Sequence, residues 1–177
     1  MPHISYSELK NWTMCPHYRK LVNEDKLNPR TDSIFTTFGT AVHSVCEEIA
    51  PMDHQVSDPT TLFESRFKEE LTKLEDIEQK TVDQFMNQGK EIVVEVTEAL
   101  KNYFGEYEVH QVEEQLFERI IEFPKKEYDF KGYVDLIVKT PDGKYHILDW
   151  KTCSWGWDAR RKAEKLTTYQ LTFYKKF

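Results

Sequence analysis

KGYVDLIVKTPDGKYHILDWKT, residues 131–152, is the stretch from which the rest of the chain is read. Tyr133, Asp135 and Ile137 alternate with Val134, Leu136 and Val138. After the break, Tyr145, Ile147, Asp149 and Lys151 alternate with His146, Leu148 and Trp150. A period of two in β-branched and aromatic residues predicts two strands. Between them Pro141-Asp142-Gly143 has the chemistry of a three-residue hairpin loop: proline presets the first position, aspartate suits the second, and glycine takes the left-handed position that closes it. If Thr140 pairs with Lys144, Asp135 lies opposite Asp149 and Tyr133 opposite Lys151. A two-residue loop would put the two carboxylates on opposite faces.

Directly opposed residues have Cβ atoms ~5 Å apart, and like charges there repel. An Asp-x-Lys on a strand is usually a solvated face, but an aspartate opposed to it on an otherwise apolar strand is not explained that way. Two facing carboxylates with a lysine two residues on make a place for a hard divalent cation beside a fixed ammonium.

Working outward, Ser5 and Glu8 are spaced as a capping box. They predict a helix to about Leu21, with Leu9, Trp12 and Cys15 near one face and Pro16 disturbing it. FTTFGTAVHSVCEEI predicts a helix from about Thr37 to Ile49, stopped by Pro51. On it His43 stands one turn from Gly39, where a small residue permits close packing, and one turn from Glu47, which is placed to orient the imidazole. Residues from Asp58 to about Gly105 are charged and helical in pattern. Asp58-Pro59 is an N-cap with proline at the first helical position, and the apolar stripes are explained by core packing. Tyr107 to Phe123 is expected to supply strands leading into the hairpin, and Lys125-Lys126-Glu127 a polar turn. Glu113 and Glu114 are adjacent on a strand, so at most one faces the site. Beyond Thr152 a loop precedes a helix from about Asp158, on which Gln170 and Tyr174 share a face.

The composition sets limits. The 177 residues suffice for one domain with a real core. The net charge of −7 excludes a general nucleic-acid coat, so any DNA contact needs a local basic patch. Arg160, Arg161, Lys162, Lys165, Lys175 and Lys176, against Asp158 and Glu164, form one in the last segment. Cys15, Cys46 and Cys153 are no disulfide framework and fit a reducing compartment. The first residues lack the apolar run of a signal peptide, and no run approaches a membrane span, so a cytoplasmic protein is expected.

Asp135 in GYVD followed by Asp149-Trp150-Lys151-Thr152 in LDWKT resembles the metal-binding core of the PD-(D/E)XK nuclease superfamily. SYSELKNWTMCPHYRKL is similar to the S-x-S-x-L…C-P-x-x-Y element of its RecB-like and Cas4-like exonuclease branch, GTAVH to that branch's G-x-x-x-H motif, and YQLTFY to its Q-x-x-x-Y helix. The pieces stand in the family's order and cover both ends of the chain but not its middle. The resemblance implies an α/β fold across residues 1–177: a restriction-endonuclease-like mixed central sheet flanked by helices, with a helical insertion at about 58–105.

It further implies Mg²⁺- or Mn²⁺-dependent hydrolysis of DNA phosphodiesters, as an exonuclease of replication, recombination or repair. His43, Asp135, Asp149 and the Trp150 carbonyl would hold the metal, with Asp135, Asp149 and Lys151 catalytic. Gln170, Tyr174, Arg160 and Arg161 would meet the DNA. A glutamate on the preceding strand, Glu113 or Glu114, would lie near the metal. Three departures stand out. Asp149 replaces the commoner glutamate. Of the four cysteines that hold the iron–sulfur cluster of Cas4-like members only Cys15 has a counterpart, so no cluster is expected. The family continues past the last helix, so the chain is a compact version, a truncated one, or one whose site a protein partner or second copy completes. The rival reading is a nuclease-like module that binds DNA or assembles without cutting.

Overall fold

The strand carrying Asp135, β3 (Asp129–Lys139), is the axis of the fold. A computed structural model describes residues 2–27, 32–51, 58–121, 127–153, 156 and 158–177, without the side chain of Arg161. Along one whole edge β3 pairs antiparallel with β2 (Glu108–Arg119). Its other edge is shared: β1 (His3–Ser5) pairs parallel with residues 129–131, and β4 (Tyr145–Leu148) pairs antiparallel with residues 136–139. The result is a four-stranded mixed sheet.

The turn chemistry sets the β3–β4 register as expected. Leu136 lies opposite Leu148 and Lys139 opposite Tyr145. Thr140 N–H donates to the Lys144 carbonyl at 3.0 Å, and Gly143 has φ of +80°. The ladder stops at Leu148, so Asp149 follows the last paired residue rather than being part of the strand. Among the described residues of Tyr107–Phe123, where strands were expected, there is one, β2. It is irregular, with a register shift between Val109 and Gln111 and a positive φ of +49° at Glu113. The Lys125-Lys126 turn lies outside the described residues.

The helices follow local signals with shifted ends. α1 (Tyr6–Met14) begins at Ser5, whose hydroxyl accepts from Glu8 N–H at 3.2 Å. The Glu8 carboxylate pairs with Arg19. α1 ends at Cys15 and is followed by α2 (Pro16–Arg19) and a π-helical turn (Lys20–Glu24). It buries no residue, and Trp12 is 56% exposed, so the expected apolar face is not packed. α3 (Ile34–Ile49) starts earlier than expected because Ser33 and Thr36 form a complete capping box. α4 (Pro59–Leu71) is capped by Asp58 as expected, and α5 (Gln79–Phe104) ends at Gly105 with φ of +71°. The terminal helix is two pieces, α6 (Ala159–Lys162) and α7 (Lys165–Lys176).

Two apolar clusters fix these elements. Phe38, Val42 and Val45 of α3 pack with Phe63 and Phe67 of α4, Val93 and Leu100 of α5, and Leu136 and Val138 of β3. Phe130 and Val134 of β3 pack with Tyr174 of α7. Asp135 therefore lies where the sheet passes from one helical layer to the other. No helix among the described residues is long and apolar enough to cross a membrane.

Candidate metal and phosphodiester site

α3 presents its polar turn to β3. His43 Nδ1 is 3.6 Å from Asp135 Oδ2. Glu47 is one turn on, and ligand atoms of His43, Glu47 and Asp135 all lie within 4.8 Å of one another. Asp135 Oδ2 also accepts from the Trp150 backbone N–H at 2.7 Å, which ties the start of the Asp149–Lys151 segment to β3. Burial pushes the Asp135 carboxyl up from the ordinary carboxylate range; Asp149 adds to this, while the Trp150 N–H, His43 and Lys151 oppose it.

The i, i+4 spacing on α3 makes Glu47 a partner that orients His43. The structure puts it at ligand distance. Burial, with the neighbouring Glu113 and Asp135 carboxylates, pushes its pKa up to about 7. Of the two adjacent glutamates on β2, Glu113 is the one that bonds Glu47. Glu114 pairs across to Val134. The alternation argument left this choice open, and the positive φ at Glu113 is a local departure from strand geometry of a kind that alternation does not describe.

Asp149, whose charge acts on Asp135, has only 8% of its side chain exposed. It forms an ion pair with Lys151, and its Oδ1 accepts from Gln170 Nε2 at 2.7 Å. Gln170 also donates to Tyr174 Oη at 2.9 Å. Lys151 Nζ is 3.4 Å from the Trp150 carbonyl and its side chain is 41% exposed, so the ammonium is anchored yet open to a ligand. Tyr6, whose partner is 160 residues away and leaves no local signal in the sequence, donates its hydroxyl to the Leu166 carbonyl and so fastens α1 to α7. Beside Lys151 opens a mainly apolar cleft of about 1250 Å³ between α5 and β4, with Trp150, Phe104 and Leu148 in its wall. The His43–Glu47–Asp135 group does not line it.

His146 is turned away from this group, with its ring 5.0 Å from that of Phe104 and its Nε2 3.1 Å from Thr140 Oγ1. Arg160 and the lysines of α6 and α7 are exposed. Cys46 is buried in the core, which pushes its thiol up to about 12, whereas Cys15 is exposed.

The donor set fits a divalent cation. Two carboxylates and an imidazole converge at partly exposed positions, and carboxylate oxygens suit Mg²⁺ or Mn²⁺ while an imidazole favours the latter. The Asp135 carboxylate raises the cost of ionising Glu47, which a cation between them would relieve. No curated protein matches the chain. The sequence pattern of the PD-(D/E)XK nuclease superfamily does, over residues 3–176. That span takes in every element from β1 to α7 and both acidic positions on either side of the hairpin, so the chain belongs to the PD-(D/E)XK nuclease superfamily, whose members are metal-dependent nucleases.

Proposed function

We propose that this protein is a Mg²⁺- or Mn²⁺-dependent deoxyribonuclease of the RecB-like and Cas4-like branch. In this reading residues 1–177 form one domain that removes nucleotides from DNA ends in replication, recombination or repair and carries no iron–sulfur cluster. The observation that carries the reading is the convergence of His43, Glu47 and Asp135 beside the Asp149–Lys151 ion pair. Three unpaired cysteines support a reducing, cytoplasmic setting.

His43, Glu47 and Asp135 would hold the metal, with Asp149 and the Trp150 carbonyl bordering the same space. When bound, the metal supplies a water of lowered pKa and a positive charge for the phosphate. Lys151, held by Asp149 and half exposed, offers a fixed ammonium to the charge that builds on the phosphate oxygens. Asp149 keeps that ammonium from turning into solvent. Arg160, Arg161 and the lysines of the last helices supply the positive surface that a backbone-reading contact needs on an acidic protein.

The test is digestion of end-labelled linear single-stranded and double-stranded DNA, and of covalently closed circles, with Mg²⁺, Mn²⁺ or chelator. Release of nucleotides from linear DNA only, dependent on metal, is expected. Cutting in chelator would overturn the metal role. Circles cut as fast as linear DNA would overturn the exonuclease assignment. DNA bound by the protein but left whole under every condition would favour the non-cutting module.

A further inference from the structure

Gln170 has an amide with two N–H groups, and both are occupied. One points at Asp149 Oδ1 at 2.7 Å, the other at Tyr174 Oη at 2.9 Å. An ionised carboxylate only accepts, so the amino end of the amide must face it. Lys151 takes the other oxygen of Asp149. With one donor on each oxygen, the plane of this carboxylate is fixed, and so is the ammonium that rests on it.

The anchor of this arrangement lies further back. Tyr174 is 8% exposed, and its hydroxyl is also bonded by the Tyr133 backbone. Its ring lies on Gly132, where a Cβ would come within 2.7 Å of Tyr174 Cε1 and 3.1 Å of Phe130 Cε1. A side chain at residue 132 would displace the ring that holds the amide. The glycine of GYVD and the Gln170/Tyr174 pair of α7 are thus parts of one contact chain that ends on Asp149.

We infer that Gln170 is a positioning residue that fixes Asp149, and through it Lys151, with Tyr174 seated on Gly132 as its support. This rests on the nuclease reading for its kinetic consequence but not for its geometry. The side chain acts on the site rather than on DNA, because neither of its N–H groups is left over for a phosphate.

The experiment has two arms. In chelator at neutral pH, Gln170→Glu sets a carboxylate against Asp149 and should melt several degrees below wild type. The exchange Asp149→Asn with Gln170→Glu restores one hydrogen bond with its direction reversed and should recover most of that loss. An exchange that melts no higher than Gln170→Glu alone would overturn the contact. In the second arm, Gln170→Met, similar in length and unable to donate, should lower kcat by roughly 10- to 100-fold, as displacement of a reacting group does, with KM for linear DNA within about twofold. A raised KM with kcat intact would instead make Gln170 a substrate contact. Gly132→Ala should reproduce the kcat loss, and the double variant should be no worse than the poorer single; additive losses would overturn the role of Gly132. If the wild type cuts no DNA, the nuclease reading falls, and the melting arm still decides the geometry.

Discussion

Replacement of Glu47 by Gln probes the acidic cluster most directly. In the fold this carboxyl is lifted from its ordinary 4.5 to about 7 by burial and by Glu113 and Asp135. A carboxyl with a raised folded pKa binds its proton more tightly when folded. It therefore weakens the fold progressively as pH rises from about the unfolded value through about 7. At ~1.4 kcal/mol per pKa unit the full penalty above that range is roughly 3 kcal/mol. Glu47 is only half-buried, and solvent screening brings this to ~1–2 kcal/mol. For a chain of this length that is ~3–6 °C in melting temperature.

In chelator at pH 8 the Gln variant should therefore melt ~3–6 °C above wild type. At pH 4, where the Glu47 carboxyl is protonated in both the folded and unfolded states, the difference should vanish. Added Mn²⁺ should raise the wild type at pH 8, by ~2.7 kcal/mol of stabilisation at a hundredfold excess over Kd, and raise the variant much less. The assay is thermal melting by circular dichroism at both pH values, with and without metal. An equal offset at pH 4 and pH 8 would refute the reasoning, because the carboxyls would then not be in contact. An unchanged response to Mn²⁺ would remove Glu47 from the ligands.

Asp135→Asn, Asp149→Asn and Lys151→Ala should each abolish cutting in Mg²⁺ or Mn²⁺ while leaving the circular dichroism spectrum intact; activity kept by two of them would sink the site assignment. His43→Ala should weaken Mn²⁺ binding in calorimetry far more than His146→Ala, since His146 packs on Phe104 and Thr140 instead. Gly89→Ala should lower the melting temperature by several degrees, because its Cβ would fall 2.0 Å from Phe63 Cζ in the middle of the core, and overpacking costs ~1–3 kcal/mol against the ~1 kcal/mol an alanine gains in a helix. A higher melting temperature would mean that α4 and α5 do not meet there.

What was legible in the sequence was what local chemistry decides. Pro141-Asp142-Gly143 sets a register without help from the rest of the fold, and Asp58-Pro59 starts a helix by itself. The His43 turn was visible because i, i+4 residues share a helix face. Whether Glu47 orients that histidine or stands beside it as a donor depends on the separation of α3 from β3, which no spacing within α3 contains. β1 is not legible in the sequence because three residues carry almost no periodicity and its pairing with Asp129–Lys131 is distant in sequence. The strands expected over Tyr107–Phe123 proved to be one, since a bulge and a positive φ bend it without ending it. The single helix expected after Asp158 divides at Ala163–Glu164, with no proline or glycine to announce it.

Gly39 lies on α3 against the segment after β4: a Cβ there would lie 3.2 Å from Thr152 Oγ1. One turn along, His43 reaches Asp135, and Thr152 directly follows Lys151. Residue 39 therefore works as a spacer between the helix that carries donor atoms and the segment that carries the ammonium. A methyl group at this point would require the Thr152 hydroxyl to give by a few tenths of an ångström. The clearance between the donor-bearing helix and the ammonium-bearing segment is thus set at a position with no side chain of its own, by how tightly a helix lies against its neighbour.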